Sequence, residues 1–157
     1  MIKLYCDASF DWTHTNKTEE NVVRGKIAIT DADKFERVDK VAIGKVPKLK
    51  QYINVLELTA IARAIELAIE NNWGDGLSIW SDSKVAVGWA HNGKVNPSVE
   101  TEAHKTAMDY LLGAMKKYRE KNMAYGMIEF NFIPREHNPA GFLLQEELDN
   151  GNKPHDL

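Results

Sequence analysis

Cysteine is nearly missing from this chain, whose 157 residues hold only Cys6. A single thiol excludes an intramolecular disulfide framework and suits a reducing compartment. Set between Tyr5 and Asp7 in an alternating run, it reads as a small core residue rather than a reactive group. Long apolar runs are missing too. No stretch approaches the roughly 18 residues of a membrane span, and the N-terminal residues carry no signal-peptide pattern. The expected location is therefore cytoplasmic, without membrane contact. Nor is there an excess of positive charge, since 20 Lys and Arg stand against 23 Asp and Glu, for a formal net charge of −3 and a pI near 6.0. That balance excludes bulk attraction to a polyanion, so a nucleic-acid partner would need a local basic patch or bound cations.

What is present suits one folded domain. Hydrophobic residues make up 43% and charged residues 27%, ordinary for a globular protein large enough to bury a core. Residues 1–148 read as that domain and 149–157 as a polar tail with no core-forming residue, expected to fray. There are no internal repeats or low-complexity segments. The opening run alternates Ile2, Leu4 and Cys6 against Lys3 and Tyr5, the period of a strand with one buried face, and ends in Asp7-Ala8-Ser9. A polar run over residues 11–21, with Trp12 and His14, reads as a long loop, and His14 as a surface histidine. Residues 22–30 and 35–44 read as a hairpin. The connector Lys45 to Lys50, holding Lys45, Lys48 and Lys50, is basic enough to touch phosphate.

Residues 54–71 read as a helix with Asn54 as N-cap. At about 100° per residue, Ile61, Ala64, Ile65 and Ala68 share a side with Glu57, whereas Glu66 falls opposite. A carboxylate on a core-facing stripe is costly unless it is paired, hydrogen-bonded or bound to a metal. The competing reading is a first-turn Glu favoured by the helix dipole. Residues 77–80 read as a buried strand ending in Ser81-Asp82-Ser83, where Asp82 is either a plain N-cap or a carboxylate aimed at the crevice of an open α/β sheet. Further helices are expected over 85–92, from Ser98 as cap to about 121, and over 142–148, with a last strand over 127–133. His91 and His104 read as surface residues, and Lys116, Lys117, Arg119 and Lys121 as a solvated helix end.

Three acids thus fall at the ends of elements that would form the centre of a sheet: Asp7, Glu57 and Asp82. The stretches Leu4-Tyr5-Cys6-Asp7-Ala8-Ser9, Asn54-Val55-Leu56-Glu57-Leu58-Thr59-Ala60, Ile79-Trp80-Ser81-Asp82-Ser83-Lys84 and Ile133-Pro134-Arg135-Glu136-His137-Asn138-Pro139-Ala140 together resemble the ribonuclease H family, type 1 enzymes and retroelement domains. Each motif alone is weak, but four in order on the right elements are strong. The resemblance implies an α/β fold, a five-stranded mixed sheet (three antiparallel strands, then two parallel) flanked by helices. It also implies hydrolysis of the RNA strand of RNA–DNA hybrids by a chain expected to be monomeric. Two Mg²⁺ or Mn²⁺ ions about 4 Å apart would neutralise the phosphate and activate water. By this resemblance Asp7 bridges both ions, Glu57 and Asp82 hold one each, and His137 helps move a proton or release product. Asn54 contacts the hybrid, backbone around Ala8-Ser9 and near Glu57 senses the RNA 2′-OH, and Ser83 joins the substrate-binding residues.

Two departures from the family pattern stand out. The family's fourth metal-binding Asp is replaced by Gly141, so either Glu146 or Glu147 compensates, or one ion binds weakly and catalysis suffers. The basic, Trp-rich protrusion of bacterial members is reduced to a short, nearly uncharged stretch over 92–101, leaving Trp89. The alternatives are a weakened or inactive nucleic-acid-binding module of the same fold, and a nuclease of that fold acting on DNA.

Overall fold

A computed structural model describes residues 1–10, 23–43 and 52–152. The loop with Trp12 and His14, and the connector lysines Lys45, Lys48 and Lys50, lie outside the described residues. Strands β1 (Ile2–Phe10), β2 (Val23–Thr30) and β3 (Glu36–Ile43) come first. Helix α1 (Ile53–Glu70), strand β4 (Leu77–Ser81), helices α2 (Lys84–Asn92) and α3 (Glu102–Asn122), strand β5 (Ile128–Phe132) and helix α4 (Pro139–Asn152) follow. The sheet order is β3-β2-β1-β4-β5. β1, β2 and β3 pair antiparallel, whereas β4 runs parallel to β1 on one side and to β5 on the other. This is the expected five-stranded mixed sheet.

The alternation of β1 sets the layers. Leu4, Cys6 and Ala8 are buried in the main core together with Val55, Leu56, Leu58, Ile61 and Ile65 of α1, each fully buried Leu or Ile contributing roughly 1.5–3 kcal/mol. α3 adds Leu111 and Tyr118 to the same core. Tyr5 packs in a second, smaller cluster, where Ala140 and Leu144 of α4 meet Ala28 and Val38. Gly25 lets β2 come close, because a Cβ there would stand 2.7 Å from both Leu56 Cδ1 and Ser9 O. In the β2–β3 turn, Asp31 Oδ1 accepts from the backbone N–H groups of Asp33, Lys34 and Phe35 at 2.9 Å, which lets Ala32 sit at φ +64°.

Several helix ends differ from expectation. α1 is preceded by Tyr52, so Asn54 lies inside its first turn and accepts a hydrogen bond from Ser83 Oγ at 3.2 Å instead of capping. α3 is capped by Thr101, three residues beyond Ser98; Ser98 instead bonds Asn96 Oδ1. The physical reason is His104. Its Nδ1 accepts from the Thr101 N–H at 3.1 Å while its own N–H reaches Thr101 Oγ1, a capping box with histidine in the glutamate position. That role, with Trp89 against the ring at 5.4 Å, buries His104, which was expected at the surface. α4 starts at Pro139, not at 142, because Asn138 Oδ1 caps it through the Ala140 N–H and proline is tolerated in a first helical turn. It runs on through Asn152 rather than ending near 148. Among the described residues no helix is long and apolar enough to cross a membrane.

Candidate metal centre

Parallel pairing sets the first two acids side by side. Cys6 of β1 pairs with Ser81 of β4, the last rung of their parallel ladder, so Asp7 and Asp82 are the next residues on adjacent strands. Asp82 stands just past the carboxyl end of β4, where open α/β sheets present their crevice, whereas Asp7 lies inside β1, which runs on to Phe10 and pairs Asp7 with Ala28 of β2. Asp82 is not the N-cap of α2. Ser83 is, accepting from the Ala86 N–H at 3.1 Å, which leaves the Asp82 carboxylate facing the crevice. Glu57 comes from the second turn of α1 and is only 4% exposed, so the frayed first-turn reading fails. One carboxylate oxygen from each of the three acids lies within 4.8 Å of the others. A crevice of about 470 Å³ opens above them, lined also by Ala8, Ser9, Asn54, Ser83 and Gly141.

Three acids this close oppose one another's ionisation. Burial pushes the Asp7 carboxyl from 3.8 to about 6. A hydrogen bond from Glu57 pulls it back, the charge of Asp82 adds to the rise, and the Ala8 N–H and Arg135 lower it. Burial, then the charge of Asp7, holds Glu57 well above the usual carboxylate range. Burial also pushes the Cys6 thiol up, which fits an inert core residue. Glu57 Oε2 is buried without a hydrogen-bond partner, an orphaned acceptor of the kind that normally demands a donor or an ion. Clustered hard oxygen donors, one of them orphaned and all short of positive charge, fit a divalent cation such as Mg²⁺ or Mn²⁺.

Other residues complete the walls. Asn138, fully buried, donates from Nδ2 to Cys6 O at 2.9 Å and to Asp82 Oδ2 at 3.1 Å. Its amide thus ties β1, Asp82 and the start of α4 together. Arg135 and Gln145 line the crevice as well, and sequence reasoning gave neither a role. Arg135 stood inside the motif over residues 133–140 but its contact with the crevice, like that of Gln145, arises only through tertiary folding. Of the alternatives for Gly141, replacement by Glu146 or Glu147 finds no support in the geometry, since both are exposed and neither lines the crevice. On α4 the residue one turn past Gly141 that faces the crevice is neutral Gln145. His137 sits exposed on a short 3₁₀ turn, Arg135–His137, and is not part of the crevice wall. Beside the crevice, sharing Asn54 with it, a second cavity of about 720 Å³ is lined by Trp89, Lys84, Lys94, Val95 and His104.

No protein-family model and no curated protein sequence matches this chain. Solved structures do. The chain superposes on the N-terminal ribonuclease H domain of a Mycobacterium tuberculosis protein at a TM-score of 0.57 and 14% identity, covering 90% of this chain and 93% of that one. Ribonuclease H1 of the halophilic archaeon Halobacterium salinarum gives 0.55 and 15%, with 94% and 97% covered. LC11 ribonuclease H1, isolated from compost by a metagenomic approach, gives 0.57 and 19%, with 96% and 97% covered. The LC11 enzyme has also been solved in complex with an RNA/DNA hybrid. Together with the strand order and the register of β1 on β4, these likenesses define an α/β protein of the ribonuclease H fold.

Proposed function

We propose that this chain is a divalent-cation-dependent endoribonuclease that hydrolyses the RNA strand of RNA–DNA hybrids. The observation that supports this reading most strongly is the convergence of Asp7, Glu57 and Asp82 on one crevice. A purely structural acid has little reason to remain buried and repelled, with one carboxylate oxygen, Oε2, unpartnered, as in Glu57. Asp7, Glu57 and Asp82 would hold Mg²⁺ or Mn²⁺. When bound, the cation supplies phosphate charge neutralisation, a more acidic water and a stabilised leaving oxygen.

The chain's own groups do the rest. Asn54 and Ser83, hydrogen-bonded to each other, present a polar edge to the sugar-phosphate backbone. Ala8 and Ser9 lie where the 2′-OH that separates RNA from DNA would be sensed. Asn138 fixes the Asp82 carboxylate so that its other oxygen stays available. His137, exposed on the turn that precedes α4, would carry a proton between solvent and the departing product. In the reaction a water oxygen bonds to phosphorus while the P–O3′ bond breaks. The products are a 5′-phosphate and a 3′-hydroxyl, the leaving oxygen taking up one proton.

The test is incubation with end-labelled RNA–DNA hybrid, duplex RNA and duplex DNA in Mg²⁺ or Mn²⁺. The expected result is cleavage of the hybrid alone, leaving 5′-phosphate ends, and loss of that cleavage in Asp7→Asn. Cleavage of duplex DNA would instead assign a DNA nuclease of the same fold. Hybrid binding without cleavage would assign the binding module that the glycine at position 141 allows.

A further inference from the structure

The three carboxylates are not evenly surrounded. Towards α1 and β4, Asp7 faces two acids, Glu57 and Asp82. Towards α4 it faces none. Gly141 stands so close that a Cβ there would be 3.1 Å from Asp7 Oδ2, and the next residue of α4 to reach the crevice is neutral Gln145. The one cationic side chain lining the crevice among the described residues is Arg135, which acts electrostatically on Asp7. Its guanidinium forms no ion pair with a described side chain. Oxygen donors are also in short supply. Asp82 Oδ2 already accepts from Asn138, and Glu57 is nearly sealed off with Oε2 as its orphaned acceptor.

We propose that this centre holds one divalent cation rather than two, and that Arg135 binds the substrate phosphate on the α4 side, where a second ion would otherwise sit. This rests on the proposed function. In the free site the charge count favours it, since two divalent ions and the guanidinium would set five positive charges against three carboxylates. One ion leaves three carboxylates balanced by the cation and Arg135 together. A planar guanidinium suits the phosphate because it donates two parallel hydrogen bonds to two non-bridging oxygens. The cation then lies between Asp7, Glu57 and Asp82, and the phosphate is held from opposite sides by an ion and an arginine.

Equilibrium dialysis with radioactive Mn²⁺ tests this on the full chain, alone and with a hybrid whose RNA strand carries phosphorothioate linkages, which keep the 2′-OH and the backbone charge while slowing hydrolysis. One Mn²⁺ per chain is expected in both cases, and two in Gly141→Asp, where a carboxylate is restored against Asp7. Arg135→Ala should keep one Mn²⁺ but bind the hybrid about tenfold more weakly, as loss of one charge-assisted contact requires, with Arg135→Lys in between. Two Mn²⁺ in the natural chain, or unchanged hybrid affinity in Arg135→Ala, overturns the inference while leaving the proposed function intact. No Mn²⁺ binding at all overturns both. One bound Mn²⁺ without hybrid cleavage strikes the proposed function alone. If Gly141→Asp does not fold, the natural stoichiometry and the Arg135 pair still decide.

Discussion

One amide, that of Asn138, serves three parts of the site. Its Nδ2 holds Cys6 O and Asp82 Oδ2 while its Oδ1 caps α4. Replacing it with alanine removes a cap and leaves buried partners unpaired, so Asn138→Ala should cost about 2–4 kcal/mol, measured by urea unfolding. Asp7 carries a different signature. The folded chain keeps the Asp7 proton up to about pH 6, whereas the usual value is 3.8. A carboxyl raised in this way favours folding below the unfolded value, and that contribution fades as pH rises through the folded one. Without cations, the natural protein should therefore lose stability relative to Asp7→Asn between about pH 4 and pH 6, as followed by thermal unfolding at each pH. A flat difference across that range would contradict the crowding described here. At this scale the acids were legible in the sequence, because strand alternation and helical periodicity report which way a side chain points. Arg135, Asn138 and the burial of His104 were not, because each depends on a neighbour far away in the chain or on a local cap that competes with the surface preference of a polar residue.

Elements explain why the acids meet. The register of β1 on β4 brings Asp7 and Asp82 together, and the close approach of α1 over β1 and β2 brings Glu57 to them. Gly25 permits that approach. Gly25→Ala puts a methyl 2.7 Å from Ser9 O and Leu56 Cδ1, and backbone has little room to yield. It should destabilise the protein by about 1–3 kcal/mol, read by denaturant midpoint, and should weaken cation binding because Ser9 and Leu56 flank Asp7 and Glu57 in sequence. At the far end of α1, Lys121 of α3 bonds Ile69 O and Asn72 Oδ1, so one of the expected solvated lysines caps a neighbouring helix. Thr101→Ala, which breaks the capping box of α3, should cost about 1 kcal/mol, seen as a lower Tm with the crevice unaffected. The order of elements along the chain and the number of α-helices were readable from the sequence, and the mixed sheet followed from the family resemblance; the order of strands within the sheet came from the structure. Helix starts were less so, because Asn54 and Ser98 are good caps by type while tertiary contacts favoured Tyr52 and Thr101 as the boundaries.

For the whole molecule, the net negative charge is consistent with a polyanion substrate only if the crevice itself is rendered positive. Bound cation and Arg135 would do this at the centre, and Lys84 and Lys94, which line the neighbouring cavity with Trp89, extend it along the surface. The three acidic motifs lie apart in the chain, inside β1, in α1 and just past β4, and the fold brings their carboxylates together at one crevice. Gly141 is the point at which this sequence departs from the family pattern, and among the described residues only Asp7, Glu57 and Asp82 are acids lining the crevice.

The most direct test of a cation centre is thermal unfolding at neutral pH with and without Mn²⁺, comparing the natural chain with Asp7→Asn. A cation present at about a hundred times its Kd stabilises by about 2.7 kcal/mol, which for a domain of this size is a Tm rise of about 5–10 °C. The account predicts that rise in the natural chain and little or none in Asp7→Asn. Equal shifts in both proteins, or none in either, would contradict it.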